Sequence, residues 1–180
     1  MKREILQRIE IPDGVEMELD GNIVIVKGKS GEIKRKFNKN KIKIEKDGNN
    51  VIIENKKASK KEKRMINTIA AHIKNMIHGV KENFEYKLKV VSSHFPITVE
   101  IHGNTAIIKN FLGEKTPRKI ELPSGIKTDI NGGLITITSP NKELAGQAAA
   151  NLERATRIRM KDRRVFQDGI FMISKAGRDI

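Results

Sequence analysis

The sequence predicts an α+β fold made by tandem duplication: two small domains, each an antiparallel, barrel-like set of strands packed on one α-helix. Three observations carry this. First, Val15-Glu16-Met17-Glu18-Leu19-Asp20-Gly21-Asn22-Ile23-Val24-Ile25-Val26-Lys27 recurs as Ile97-Thr98-Val99-Glu100-Ile101-His102-Gly103-Asn104-Thr105-Ala106-Ile107-Ile108-Lys109, and Gly31-Glu32 recurs as Gly113-Glu114, all at an offset of about 82 residues. Second, short segments alternate apolar and polar residues with the period of a half-buried strand. Third, one long helical pattern follows the strands in each half.

The elements follow in order. In Val15 to Leu19 the odd positions are apolar and the even ones acidic. Asp20-Gly21-Asn22 then supplies residues suited to a tight hairpin turn, and Asp47-Gly48-Asn49, His102-Gly103-Asn104 and Asn131-Gly132-Gly133 repeat the device. Ile42-Lys43-Ile44 corresponds to Ile126-Lys127-Thr128, and Asn50-Val51-Ile52-Ile53 to Gly133-Leu134-Ile135-Thr136. Ser59-Lys60-Lys61-Glu62 fits a capping box that opens the first helix. Met65, Ile66, Ile69, Ala70, Ile73 and Ile77 form its predicted apolar face, and Gly79 its predicted C′ residue. In the second half Ser139-Pro140 fits an N-cap followed by proline at N1, with Leu144, Ala148, Leu152 and Ala155 as the buried stripe. Strands are predicted after each helix, over Phe84 to Val91 and Ile170 to Ile173. The domain boundary is placed so that residues 1–82 form the first repeat and 83–180 the second, the latter ending in a basic tail.

Composition points to a polyanionic partner. The 180 residues carry 36 Lys plus Arg against 22 Asp plus Glu, a formal charge of +14. Such a charge repels itself in a compact chain, and binding nucleic acid relieves the repulsion. With no cysteine, a disulfide framework and cysteine-ligated zinc are excluded. The start, Met1-Lys2-Arg3-Glu4-Ile5, lacks the apolar run of a signal peptide. No apolar run approaches the roughly 20 residues that span a bilayer. A cytoplasmic protein with no membrane partner is expected.

Catalytic motifs are weak. Gly28-Lys29-Ser30 resembles the end of a phosphate-binding loop, but the required upstream glycine position holds Ile23, and Gly31 to Phe37 reads as strand rather than helix. A Gly-Lys-Ser-Gly hairpin turn is the better reading. His72 and His78 stand six apart on a helix, the wrong spacing for a shared metal. No serine sits in a Gly-x-Ser-x-Gly elbow. No enzyme activity, cofactor or small-molecule substrate is expected; a free-standing nucleic-acid-processing enzyme is the alternative.

The basic residues form two clusters of six. Lys56, Lys57, Lys60, Lys61, Lys63 and Arg64 surround the start of the first helix. Arg154, Arg157, Arg159, Lys161, Arg163 and Arg164 follow the second. Arginine presents a planar fork that grips phosphate bidentately, which favours the second cluster as the binding surface. There is no Trp, one Tyr and six Phe. That scarcity of stacking platforms favours shape and backbone readout of double-helical RNA.

Asn151-Leu152-Glu153-Arg154-Ala155-Thr156 through Arg163-Arg164-Val165-Phe166-Gln167-Asp168-Gly169-Ile170-Phe171 resembles the C-terminal signature of archaeal and eukaryotic large-subunit ribosomal protein six. Ser93-His94-Phe95-Pro96, the Gly-Asn turns and Ile9-Glu10-Ile11-Pro12 resemble that family too, so the resemblance spans essentially the whole chain. Phe171 departs from it, standing where tyrosine is expected. The resemblance implies two copies of one fold and a structural constituent of the large subunit that binds ribosomal RNA among neighbouring ribosomal proteins. It also implies a location near the sarcin–ricin region, where translation factors dock. It implies RNA contact by Arg154, Arg157, Arg159, Lys161, Arg163 and Arg164, and further by Lys109, Lys115, Arg118 and Lys119.

Overall fold

The computed structural model describes residues 3–38 and 42–180; Met1 and Lys2, part of the charged start read above, lie outside the described residues. The chain divides into two compact units, Met1–Asn83 and Phe84–Ile180, one residue beyond the boundary placed from sequence.

In the first unit, β1 (Arg3–Glu10) is followed by the meander β2 (Glu16–Asp20), β3 (Ile23–Gly28) and β4 (Gly31–Lys36), then by the hairpin β5 (Lys43–Asp47) and β6 (Asn50–Ala58), then by α1 (Lys60–Lys81). The meander is one sheet; β1, β6 and β5, in that order, make another. Asp20 pairs with Ile23, so Gly21 and Asn22 alone turn the hairpin, and Gly21 adopts φ +53°. That left-handed backbone is open to glycine at little cost. Val24 and Val26 of β3, Val51 and Ile53 of β6, and Ile66 and Ile73 of α1 are all fully buried in one core.

The start of α1 is the capping box read from sequence: the Ser59 hydroxyl accepts from the Lys61 amide at 3.2 Å, and the Glu62 carboxylate accepts from the Ser59 amide at 2.8 Å. The C-terminal expectation is corrected. Gly79 lies inside the helix, which runs on to Lys81, because Val80 is fully buried in the core. The β3–β4 turn caps the helix end: Ser30 N donates to Val80 O at 2.8 Å. Gly28 makes this approach feasible, since a Cβ there would lie 2.9 Å from both the Val80 Cγ2 and its carbonyl. Gly28 also pairs with Gly31 across the turn, so the Gly-Lys-Ser-Gly stretch is a hairpin turn. Met65, expected on the apolar face, is exposed instead.

The second unit repeats the order with additions. It comprises β7 (Phe84–Val91), the meander β8 (Thr98–His102), β9 (Thr105–Lys109) and β10 (Arg118–Glu121), the hairpin β11 (Lys127–Asn131) and β12 (Leu134–Ser139), α2 (Lys142–Ala155), and the closing strands β13 (Gly169–Lys175) and β14 (Arg178–Asp179). β7 pairs antiparallel with β12 as β1 does with β6. Ala106 and Ile108 of β9 are buried where the aligned Val24 and Val26 are buried in β3. The difference is at β1 and β7. β1 is an edge strand, whereas β7 is flanked by β12 and β13 in the order β11-β12-β7-β13-β14. The fold is α+β, with strand order and helix placement shared by the two units.

Two expectations about α2 are corrected. Asn141, not Ser139, is its N-cap, with Asn141 Oδ1 accepting from Glu143 N at 3.0 Å. Ser139 ends β12, and its hydroxyl donates to Gly125 O and accepts from Asn141 N. Pro140 therefore precedes the cap. The fully buried face is Ala145, Ala148, Ala149 and Leu152; Leu144 and Ala155 are only half-buried.

Candidate nucleic-acid interface

The segment between α2 and β13 carries the arginine cluster and contains no regular element, so its shape depends on how its ends are held. Thr156, the C-cap of α2, is buried, and its hydroxyl accepts from Ile170 N at 2.9 Å. One side chain thus ties the helix end to the returning strand. Asp168 makes a second tie. Its carboxylate is 1 % exposed; Oδ1 accepts from Ser93 N at 2.6 Å and His94 N at 3.0 Å, and Oδ2 faces His94 Nδ1 at 2.6 Å. Burial alone pushes this carboxyl up, but the hydrogen bonds from the His94 and Ser93 amides and the His94 ring outweigh it and bring its pKa down to about 2. The group is a carboxylate at neutral pH.

Between those ties the segment is braced locally. Asp162 O accepts from Val165 N and Phe166 N, and its side chain accepts from the Arg164 amide at 2.9 Å and the Arg164 guanidinium at 2.9 Å. The hydrogen bond from the Arg164 side chain, then that from its amide, holds the Asp162 carboxyl below its usual value. Phe166 stacks on His94 with ring centroids 4.9 Å apart, and Lys161 Nζ stands 4.5 Å from the Phe166 ring centroid.

The sequence-predicted residues fall into three groups. Arg154, Arg157, Arg159 and Arg163 are exposed and make no ion pair among the described residues. Their guanidinium groups are available to phosphate, and Arg154 also favours the C-terminal end of the α2 dipole. Lys161 and Arg164 are exposed but engaged, with Phe166 and Asp162 respectively. Of the residues outside the segment, Lys115 and Lys119 are exposed on the surface, whereas Lys109 grips both oxygens of Glu100 at 2.7 and 2.8 Å. Arg118 is the most committed. It binds both oxygens of Glu114, donates to Ala155 O at the end of α2, and lies 4.3 Å from the centroid of the buried Phe111 ring. Its bond to Ala155 links β10 to α2 and so supports the cluster from beneath.

Sequence reasoning missed Thr156, Asp168 and His94 as supports. His94 was read only as part of the Ser93-His94-Phe95-Pro96 motif, yet its ring is a hydrogen-bond and stacking partner. The signal was the motif pair Ser93-His94-Phe95-Pro96 and Gln167-Asp168-Gly169; that the two meet is a property of the β7–β13 pairing, Gly169 opposite Val91. The lysine cluster at α1 is exposed over Lys56, Lys57, Lys60, Lys61, Lys63 and Arg64. Among the described residues no three of His, Asp and Glu converge as metal ligands, and no helix is long and apolar enough to cross a membrane.

Comparison with known proteins agrees with this architecture. The family model of ribosomal protein L6 matches twice, over residues 11–83 and 95–169, one match in each unit. The large ribosomal subunit protein uL6 of Methanobrevibacter smithii is 48% identical over 171 residues, covering 95% of this chain and 96% of that protein. The uL6 proteins of Methanococcus vannielii and Methanosarcina mazei are each 42% identical, over 174 and 176 residues, covering 97% and 98% of this chain and 96% and 100% of their own. All three are named as ribosomal proteins, not as enzymes. With a duplicated family match and full-length archaeal relatives, the chain belongs to the ribosomal protein L6 family.

Proposed function

We propose that this protein is a structural constituent of the large subunit of the cytoplasmic ribosome, and that the second unit holds it on double-helical ribosomal RNA through the segment 154–164. The observation that carries this is the set of four exposed arginines, without an ion pair among the described residues, on a backbone tied at Thr156 and Asp168. Arginine forks grip phosphate bidentately, and a segment already held at both ends loses little entropy on binding. Arg154, Arg157, Arg159 and Arg163 are the leading contacts. Lys161, Arg164, Lys115 and Lys119 add charge around them, while Arg118 and Lys109 act through the internal partners they hold. Neighbouring ribosomal proteins complete the surroundings, and the family resemblance supports a position near the sarcin–ricin region and the translation-factor surface.

The test is binding to large-subunit ribosomal RNA across a salt series, with chemical footprinting to map the site. Phosphate-dominated binding gives a log–log slope of about −0.7 to −0.9 per neutralised phosphate. Four contacts therefore give a slope of about −2.8 to −3.6 by the same relation. A slope near zero refutes the phosphate reading. A footprint away from the sarcin–ricin stem refutes the proposed position while leaving RNA binding intact.

A further inference from the structure

Between the last turn of α2 and the beginning of β13 lies a cleft of about 770 Å³ that phosphate contacts alone do not account for. Its apolar lining comes from Ile158, Ile170, Phe166 and Phe171, and Arg154, Arg157 and Arg163 stand around it. The two aromatic rings differ in what covers them. Phe166 is enclosed by His94 and Lys161. Phe171 is 42% exposed and has no aromatic or cationic partner among the described residues. An edge of its ring rests over Gly169, where a Cβ would stand 3.3 Å away. A ring steadied from one side and open on the other, within reach of three arginines, suits a ligand that is flat, apolar on its faces and attached to negative charge. A nucleotide has those properties together. An acidic peptide supplies the charge but not the plane.

We infer that this cleft receives one unpaired nucleobase of an RNA helix, stacked on Phe171, while the flanking phosphates meet Arg157 and Arg163. The inference rests on the RNA-binding reading above and adds a site for a base to it. A base within a duplex cannot enter, because its faces are covered by its neighbours. A bulged base enters at little cost, having no pair to break. Glu153 and Gln167 also line the cleft and offer acceptors and a donor to the base edge.

The test uses three RNA hairpins with one stem: fully paired, carrying a single unpaired 2-aminopurine, and carrying an abasic residue at that position. Stacking on an aromatic ring predicts that the 2-aminopurine hairpin binds about tenfold tighter than the abasic one. Its emission changes on binding to the full-length protein. In Phe171→Leu the preference and the emission change disappear while binding of the paired hairpin persists; circular dichroism checks that the variant is folded. Equal affinity for the 2-aminopurine and abasic hairpins, with salt-dependent binding of all three, overturns the inference and leaves the RNA-binding reading standing. A preference retained in Phe171→Leu likewise overturns it. Failure of all three RNAs to bind overturns both.

Discussion

Asp168→Asn isolates the clamp that holds the arginine segment. The carboxylate accepts three hydrogen bonds from Ser93 and His94 while almost fully buried. An asparagine oxygen still accepts from the two amides, but as a neutral group. Two bonds that fall from the charged to the neutral class lose about 1 kcal/mol each. The new NH₂ faces His94 Nδ1, so the third bond survives only if the ring changes tautomer, and its loss adds about another 1 kcal/mol. The sum is about 2–3 kcal/mol. The carboxyl pKa gives an independent route: a fall from 3.8 to about 2 is worth about 2.5 kcal/mol at 1.36 kcal/mol per unit. The 34% exposure of His94 trims that to about 2 kcal/mol by screening. A depressed carboxyl stabilises the fold above its unfolded pKa, and that stability is lost as pH falls through the folded one. The difference between wild type and Asp168→Asn is therefore constant above about pH 4 and shrinks between about pH 4 and 2. Urea unfolding followed by tyrosine fluorescence is the assay, because the chain's single tyrosine, Tyr86, is buried in β7 of the same unit. A difference below about 0.5 kcal/mol at neutral pH, or one that persists unchanged to pH 2, refutes the clamp.

Three further outcomes are expected. Arg157→Ala with Arg163→Ala weakens RNA binding by about 2–4 kcal/mol, whereas Lys60→Ala with Lys63→Ala costs under about 1 kcal/mol; side-by-side competition binding decides, and equal losses mean that diffuse charge does the work. Thr156→Val leaves the buried Ile170 amide without its acceptor, lowering the stability of the second unit by about 1–3 kcal/mol in the same fluorescence assay. Gly28→Ala drives a methyl into Val80 at the end of α1 and destabilises the first unit by about 1–3 kcal/mol, read by circular dichroism.

The duplication was legible because it is written in local signals. Gly21 and Gly103 mark the same turn, and Val24 and Val26 recur as Ala106 and Ile108 on the same buried face. Ser59 and Glu62 announced α1 because a capping box needs only four neighbouring residues. β1 was not legible: between Ile5 and Ile9, which share the inward phase, apolar Leu6 is exposed and polar Gln7 points inward to bond Asn67 on α1, so the alternation is broken. The end of α1 was misread because Gly79 has the composition of a C-cap, while Val80 beyond it is held by a turn some 50 residues earlier. Ser139 was misread because its hydroxyl is taken up by the Gly125 carbonyl on a distant turn, leaving Asn141 two residues on to cap the helix. The arginine cluster was visible as composition, but its supports were not. Asp168 acts on residues 74 and 75 positions away, a distance at which pattern carries no signal.

The position of β13 in the sheet bears on how the protein is made. β7 emerges from a translating ribosome early in the second unit, yet one of its two partners is β13, encoded after the arginine segment. Until that strand arrives, β7 has an open edge able to pair with another chain. Thr156 lacks its partner Ile170, and Ser93 and His94 lack Asp168, for the same reason: those residues come last. A nascent or prematurely ended chain therefore carries its positive charge on a loose tether and shows a strand edge to chaperones and proteases. Only closure of the sheet sets the arginines in place, so the proposed RNA-binding segment takes its shape only after synthesis has passed β13.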